Sequence, residues 1–346
     1  MDGVREILIL TPSMDGADGI SEVSRQVVAA VGRLTPEIDV EVWALAGGQS
    51  TDDRTAHVRF RSAGGSRTRV SAWALARART ASDGLLVLVL HVHLAPLALP
   101  MELRGARLAF FLYGIEVWRR LRSRERRVLD RASVLLAISE WTAARFREAN
   151  PEYRHANVRI CPPAVSRQAV AEPAGREGYA LIVGRLSADE RYKGHDALID
   201  VWPAVRAEVP DAELLIVGDG DDRPRLEAAV RERGLADAIR FAGRTTAGAL
   251  EGLYRNAAFF VMPSVGEGFG IVFLEAMRAG KACIAGPGAS AEIVRDGVTG
   301  LIVNPQARGD LTRAIARMFK EPATRRAMGA AGADRVRSCY EQEQFT

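Results

Sequence analysis

Short apolar runs of strand length alternate with segments whose apolar residues recur at helical spacing, and the pattern occurs twice along the 346 residues. The first half reads REILILTP, SEVSRQVVAAVGRL, DVEVWALA, RVSAWALARARTA, GLLVLVLHVHL, ARLAFFLYG and ASVLLAIS. Parallel strands need a crossover between them, and helices between strands supply it. A small, polar stretch with Pro and Gly, SRQAVAEPAGREG at 166–178, then interrupts the pattern. It restarts with YALIVGRL, ALIDVWPAVRAEV, AELLIVGDG, RLEAAVRERGL, IRFAGR, LEGLYRNA, AFFVMPS, ACIAGP and TGLIVNP. A chain of this length exceeds one ordinary core. The expected organisation is therefore α/β, with Rossmann-like domains at 1–165 and 179–346 joined by a linker at 166–178. Ligands in such sheets gather at the carboxyl ends of strands, so the loops after ALIVG, LLIVG and FFVMP are the places to look.

The loop after FFVMP is the most telling of these. In EGFGIVFLE, residues 267–275, two carboxylates stand eight positions apart around a glycine-rich turn that leads from a strand into a helix. Glu267 falls in the loop and Glu275 about one turn into the helix, so the two can line one edge of a cleft and face different hydroxyl-bearing parts of one ligand. Gly268 and Gly270 allow close backbone approach, and the helix N-terminus presents unpaired N–H groups to an anion. A carboxylate accepting from a sugar hydroxyl makes a charge-assisted bond, and losing one costs about 1.5–3 kcal/mol. Alone, Glu275 reads as a first-turn acid favoured by the helix dipole. In combination with Glu267 and the two glycines it reads as a sugar-nucleotide site.

Arg185 follows the strand YALIVG, and Lys193 lies eight residues further on in YKG. A departing diphosphate needs fixed positive charge, which an arginine fork and a lysine point charge supply. Only three of the 47 basic residues are lysines, which suggests that the ammonium of Lys193 is specifically required. The alternative is a pair of exposed surface cations. At the N-terminus, TPSMDGADGIS places Gly16 and Gly19 between a strand and a helix, where they suit either a phosphate or an ordinary βα turn. The Asp-x-Asp of GDGD, 218–221, reads as a turn more readily than as a metal site. His91 and His93 alternate on what reads as a strand and lack a clear third ligand.

Composition narrows the setting. With 48% hydrophobic and 26% charged residues the chain is globular. Cys161, Cys283 and Cys339 are too scattered for a disulfide framework or zinc knuckle, which points to a reducing cytoplasm. The start, MDGVREILIL, lacks the basic opening of a signal peptide. The longest apolar region, GLLVLVLHVHLAPLALPMEL, reads as a buried strand followed by a loop rather than a membrane span. Net charge is +4, too mild to suggest a nucleic-acid partner. Up to residue 165 there are 23 basic and 18 acidic side chains, with seven arginines between Arg119 and Arg131. That stretch is either a solvated helix face or a basic face that contacts anionic lipid at the inner surface of a membrane.

Taken together, these residues resemble the retaining family-4 glycosyltransferases of the GT-B fold. The matching pieces are GRL with YKGH, LLIVGDGDDRPRLE, FAGR, MPSVGEGFGIVFLEAM and AEIVRDGVTGLIVNP, in family order over most of 178–320. The resemblance implies two Rossmann-like domains facing each other across a cleft, with the last helix crossing back to the first domain. It implies that Glu275 holds the nucleotide ribose and Glu267 the donor sugar, while backbone N–H groups from Gly268, Phe269, Gly270 and Ile271 meet sugar and phosphate. Arg185 and Lys193 would clamp the diphosphate, Gly16 and Gly19 would approach the donor, and the 241–245 loop with Gly243 and Arg244 would border the base. Tyr113 in FLYGIEVW stands where the family usually has a histidine, and Asp18 where a glycine pair is common. The implied chemistry is transfer of a sugar from a UDP- or GDP-linked donor to a glycan, lipid-linked or small-molecule hydroxyl. It proceeds with retention and without cofactor or metal. A nucleotide-sugar 2-epimerase or hydrolase of similar fold and a non-catalytic nucleotide-sugar sensor are the rival readings. A NAD-linked enzyme is weaker, because no strand-anchored GxGxxG appears.

Overall fold

The computed structural model describes residues 3–16, 19–48, 57–165 and 178–341. The expected linker, apart from Gly178, and the expected crossing beyond Glu341 lie outside these residues, as does Asp18. The chain divides into two compact units that meet in sequence between Ala164 and Val165.

The first unit contains strands β1 (Glu6–Ser13), β2 (Asp39–Ala46), β3 (Val58–Ser62), β4 (Leu85–Val89), β5 (Arg107–Leu112), β6 (Ala132–Ala137) and β7 (Val158–Ile160). Its helices are α1 (Gly19–Leu34), α2 (Arg67–Ala78), α3 (Ala95–Glu102), α4 (Ser123–Leu129) and α5 (Glu140–Ala149). The described strands form one parallel sheet in the order β3-β2-β1-β4-β5-β6-β7. Central strands are covered on both faces, which is why β1 and β5 are apolar at consecutive positions. At the edge, β3 instead alternates Val58 and Phe60 with Arg59 and Arg61, which discourages pairing with another chain. That alternation is too brief and too polar to stand out in sequence.

The apolar stretch after β4 departs from the expected strand and loop. The strand ends at Val89, and a 3-10 turn at Val92–Leu94 leads directly into α3. Pro96 falls in the first turn of α3, where its missing N–H has no partner to lose. Pro100 gives up one backbone bond in an eight-residue helix held by burial of Ala95, Ala98 and Met101. His91 and His93 therefore do not alternate on a strand. They occupy the turn beyond its carboxyl end.

The second unit contains β8 (Tyr179–Val183), β9 (Leu214–Val217), β10 (Ile239–Gly243), β11 (Ala257–Met262), β12 (Cys283–Ala285) and β13 (Gly300–Ile302). Its helices are α6 (His195–Glu208), α7 (Arg223–Glu232), α8 (Ala247–Asn256), α9 (Ile271–Arg278), α10 (Ser290–Ile293), α11 (Arg308–Lys320) and α12 (Pro322–Cys339). The sheet is again parallel, in the order β10-β9-β8-β11-β12-β13. All six residues of β11 are buried, so its run of Ala, Phe, Val and Met reads as continuous apolar sequence. α12 lies against α9 of the same unit; a Cβ on Gly332 would be 3.1 Å from Met277 Cγ, so a small residue is needed there.

Candidate active site at the switch point of the second sheet

Strand order in the second unit runs from β8 through β9 to β10 on one side and from β11 through β12 to β13 on the other. The switch point therefore lies between β8 and β11, where neighbouring crossovers leave the sheet in opposite directions and open a crevice. Arg185 and Lys193 follow β8, and Glu267 to Gly270 follow β11. Topology alone brings these two segments together.

Backbone contacts fix how closely they approach. The Val265 N–H donates to the Tyr192 carbonyl at 3.1 Å, tying one loop to the other. Gly194, at φ +91°, begins α6 in a left-handed conformation, and a Cβ there would lie 2.8 Å from Pro263 Cγ. A Cβ on Gly220 would meet the Leu186 carbonyl oxygen at 2.2 Å. The GDG turn thus packs beneath the Arg185 loop, and Asp221 accepts from the Ala188 N–H at 3.1 Å. Among the described residues no group of three or more His, Cys, Asp or Glu is placed to hold a metal ion.

On this frame Lys193 Nζ lies 2.6 Å from Glu267 Oε1, with both side chains largely buried. The Tyr192 ring lies 5.4 Å from the same ammonium. Glu190, which sequence reasoning did not single out, pairs with Arg185 through one oxygen and approaches Lys193 Nζ to 3.7 Å with the other. Its signal was the i,i+3 spacing to Lys193 within the short 3-10 helix Ala188–Lys193. Arg185 is mostly exposed, so its guanidinium can reorient, whereas the Lys193 stem packs under Gly184.

Gly270, at φ +97°, is the N-cap of helix α9 and offers no side-chain cap to its first N–H groups. Ile271 opens the helix. Phe269 turns inward and is buried edge-on against Tyr340, which leaves its backbone as the part able to meet a ligand. Glu275 Oε2 accepts from the Tyr254 hydroxyl at 2.9 Å, and burial together with this carboxylate pushes the Tyr254 hydroxyl well above its usual pKa. The buried tyrosine holds Glu275 in place from behind. Gly243 ends β10 at φ +70°, and Arg244 beyond it is exposed at the same edge of the sheet.

A second network braces the same edge. Arg225 pairs with Asp196 and Asp222, each at 2.6 Å, and Arg191 reaches Asp222 at 3.1 Å. Hydrogen bonding from Arg225 is the main reason that the nearly buried Asp222 is held at a pKa of about 2. Because the folded value lies below the ordinary one, this stabilisation is complete above about pH 4 and disappears as pH falls toward 2. Asp222→Asn should therefore be less stable than wild type at pH 7, with the two converging by pH 2. Urea unfolding across that range measures it, and a constant gap would refute it.

In the first unit the switch point lies between β1 and β4. The loop after β1 carries Gly16, and Gly19 opens α1. Arg25 donates to the Met14 and Gly16 carbonyls at 2.5 and 3.1 Å, an anchor that the sequence did not suggest. Across the switch point His91 stacks on Tyr113 at 6.4 Å between ring centroids and meets His93 in a tilted contact at 4.7 Å. Burial above all, then His93 and Arg119, lowers His91 to about 4, so its ring is neutral at pH 7. Tyr113 is buried, and its backbone N–H and that of Gly114 donate to Glu116 Oε1 at 2.7 and 3.1 Å.

The arginine-rich stretch is more committed than it reads. Arg119 pairs with the buried Glu125, Arg120 and Arg126 with Glu152, and Arg131 with Glu102. Arg122, Arg124 and Arg127 remain exposed on or beside α4. Among the described residues no helix is long and apolar enough to cross a membrane.

Two doubly wound parallel sheets with polar loops gathered at their switch points define a Rossmann-like, nucleotide-binding class of protein. Comparison with known proteins narrows this. Residues 177–321 match the family described as glycosyl transferases group 1. The chain is 34% identical over 264 residues to the GDP-mannose-dependent alpha-(1-6)-phosphatidylinositol monomannoside mannosyltransferase of Mycolicibacterium smegmatis, covering 69% of this chain and 68% of that protein. It is 34% identical over 268 residues to the protein of the same description in Mycobacterium tuberculosis, covering 70% and 69%. In fold it is similar to sucrose-phosphate synthase from Thermosynechococcus elongatus, with a TM-score of 0.78 at 22% identity over 99% of this chain and 96% of that one. HepE of Anabaena, solved in complex with UDP and glucose, gives a TM-score of 0.78 at 17% identity over 99% and 97%. The chain belongs to the group 1 glycosyl transferases, the retaining family expected from its motifs, and its two parallel sheets are those of the GT-B fold. It is a glycosyltransferase that takes its sugar from a nucleotide-linked donor.

Proposed function

We propose that the chain moves a hexose, with retention and without a metal ion, from a GDP- or UDP-linked donor to a hydroxyl of a lipid-linked or glycan acceptor. The observation that supports this best is the Lys193–Glu267 pair of 2.6 Å at the sheet's switch point, beside Arg185 and the uncapped start of α9. In this reading Glu267 accepts from donor-sugar hydroxyls near the reacting carbon, and Glu275, steadied by Tyr254, accepts from the ribose. Arg185, Lys193 and the N–H groups of 268–271 take up charge on the departing diphosphate. Gly243 and Arg244 border the base. The acceptor oxygen attacks the anomeric carbon on the face the diphosphate is leaving, and a diphosphate oxygen takes its proton.

The relatives' descriptions favour GDP-mannose as donor and a phosphatidylinositol-type glycolipid as acceptor. Arg122, Arg124 and Arg127 suit a peripheral seat on the anionic inner face of the membrane, at about 1 kcal/mol per cation near the surface. The test is turnover of GDP-mannose and UDP-sugars with lipid and glycan acceptors, with the anomeric configuration of the product read by NMR. Retention is expected. Glu267→Ala should lower turnover by roughly ten- to a hundredfold, the loss of one charge-assisted donor contact. An epimerised donor, or turnover within twofold of wild type in that variant, would defeat the proposal.

A further inference from the structure

Glu190 has no part in the donor contacts proposed above, yet it occupies the two cations assigned to the diphosphate. It sits inside the 3-10 helix Ala188–Lys193 with non-helical dihedrals, φ −117° and ψ 25°, and its side chain is 13% exposed. Oε1 accepts from Arg185 Nη2. Oε2 is buried, makes no hydrogen bond among the described residues, and lies 3.7 Å from Lys193 Nζ. A carboxylate that is buried but only half satisfied costs stability, and that cost is recovered if the group can leave.

We propose that Glu190 is a counter-anion built into the donor site: it neutralises Arg185 and Lys193 while the site is empty, and the diphosphate must displace it to bind. This rests on reading Arg185 and Lys193 as the diphosphate clamp. Two cations converging on one point repel each other unless an anion lies between them, and Glu190 supplies it. When a diphosphate arrives, the carboxylate gives up Arg185, whose exposed side chain can swing to the ligand. Like-charge repulsion then weakens the hold on the nucleotide and hastens its release after transfer. The site thus trades affinity for turnover. Glu267 differs from Glu190 in that it pairs with Lys193, at 2.6 Å, whereas Glu190 reaches both cations.

The test is calorimetric binding of GDP, UDP and inorganic pyrophosphate, with guanosine and uridine as controls, to the full chain as wild type, Glu190→Gln, Glu190→Ala, Arg185→Ala and Lys193→Ala. Both Glu190 variants should bind the diphosphates and pyrophosphate roughly three- to tenfold more tightly, with the nucleosides unchanged. Equal or weaker diphosphate binding by the Glu190 variants would overturn the inference, because a carboxylate that merely positions the two cations would weaken binding when removed. The Arg185 and Lys193 variants judge the underlying reading separately. If they bind diphosphates as wild type does, the clamp itself is wrong. If they bind more weakly while Glu190→Gln does not bind more tightly, only the counter-anion falls.

Discussion

Lys193→Ala should lower kcat/KM by about 10²- to 10³-fold, the usual loss when one preorganised charge stabiliser is removed from a site shielded from water. The side chain is 13% exposed and its stem runs beneath Gly184, where a Cβ would come within 3.1 Å of Lys193 Cδ. The ammonium is therefore held by packing and cannot be replaced by a mobile surface cation. Its removal also leaves Glu190 and Glu267 facing the same space with no charge between them, so the empty cradle becomes net negative where it should attract a diphosphate. Arginine should not restore activity, since its planar fork needs room that this stem position lacks. Steady-state kinetics on a variant whose melting curve matches wild type is the measurement. Activity within threefold of wild type would remove Lys193 from the reaction.

Gly218→Ala should destabilise the second unit by about 3 kcal/mol or more, since it combines a strained backbone with a steric clash. Gly218 has φ +137°, and a Cβ there would lie 1.9 Å from the Gly184 carbonyl oxygen. That oxygen belongs to the backbone between β8 and Arg185 and cannot step aside without shifting the cation loop. The melting temperature should fall by roughly 6–12 °C. Gly248→Ala is the control: it lies within α8, nothing occupies the space its Cβ would fill, and it should be neutral or slightly stabilising. If Gly218→Ala melts within 2 °C of wild type, the packing account of the GDG turn is wrong.

Fold was legible because alternation is written in consecutive residues. The buried runs of β1, β9 and β11 and the amphipathic α1 and α6 announce themselves locally. The short edge strand β3 and the proline-bearing α3 do not, since one is paired on a single side and the other is held by tertiary burial against its own propensity. At the site, Glu267, Glu275, Arg185 and Lys193 could be picked out by type and spacing around glycines. Glu190, Tyr254 and Arg25 could not. Each acts through a partner fixed only in three dimensions: Tyr254 reaches Glu275 from another helix, and Arg25 reaches carbonyls of the preceding loop. An acid three residues before a lysine is too common to carry meaning until its second oxygen is seen buried beside that lysine.

The glycine contacts around Gly184, Gly194, Gly218 and Gly220 divide the carboxyl edge of the second sheet into a rigid part and a permissive one. Where carbonyl oxygens press against missing side chains, almost any substitution must move main chain, so the part of this edge around Arg185 and Lys193 is confined to a narrow range of sequences. Beyond β10, the Arg244 side chain is exposed to solvent and, among the described residues, bears no such contact with backbone carbonyls. On the proposed reading of this edge, sequence is free to drift where the base would sit, while the turns beneath the diphosphate clamp stay fixed.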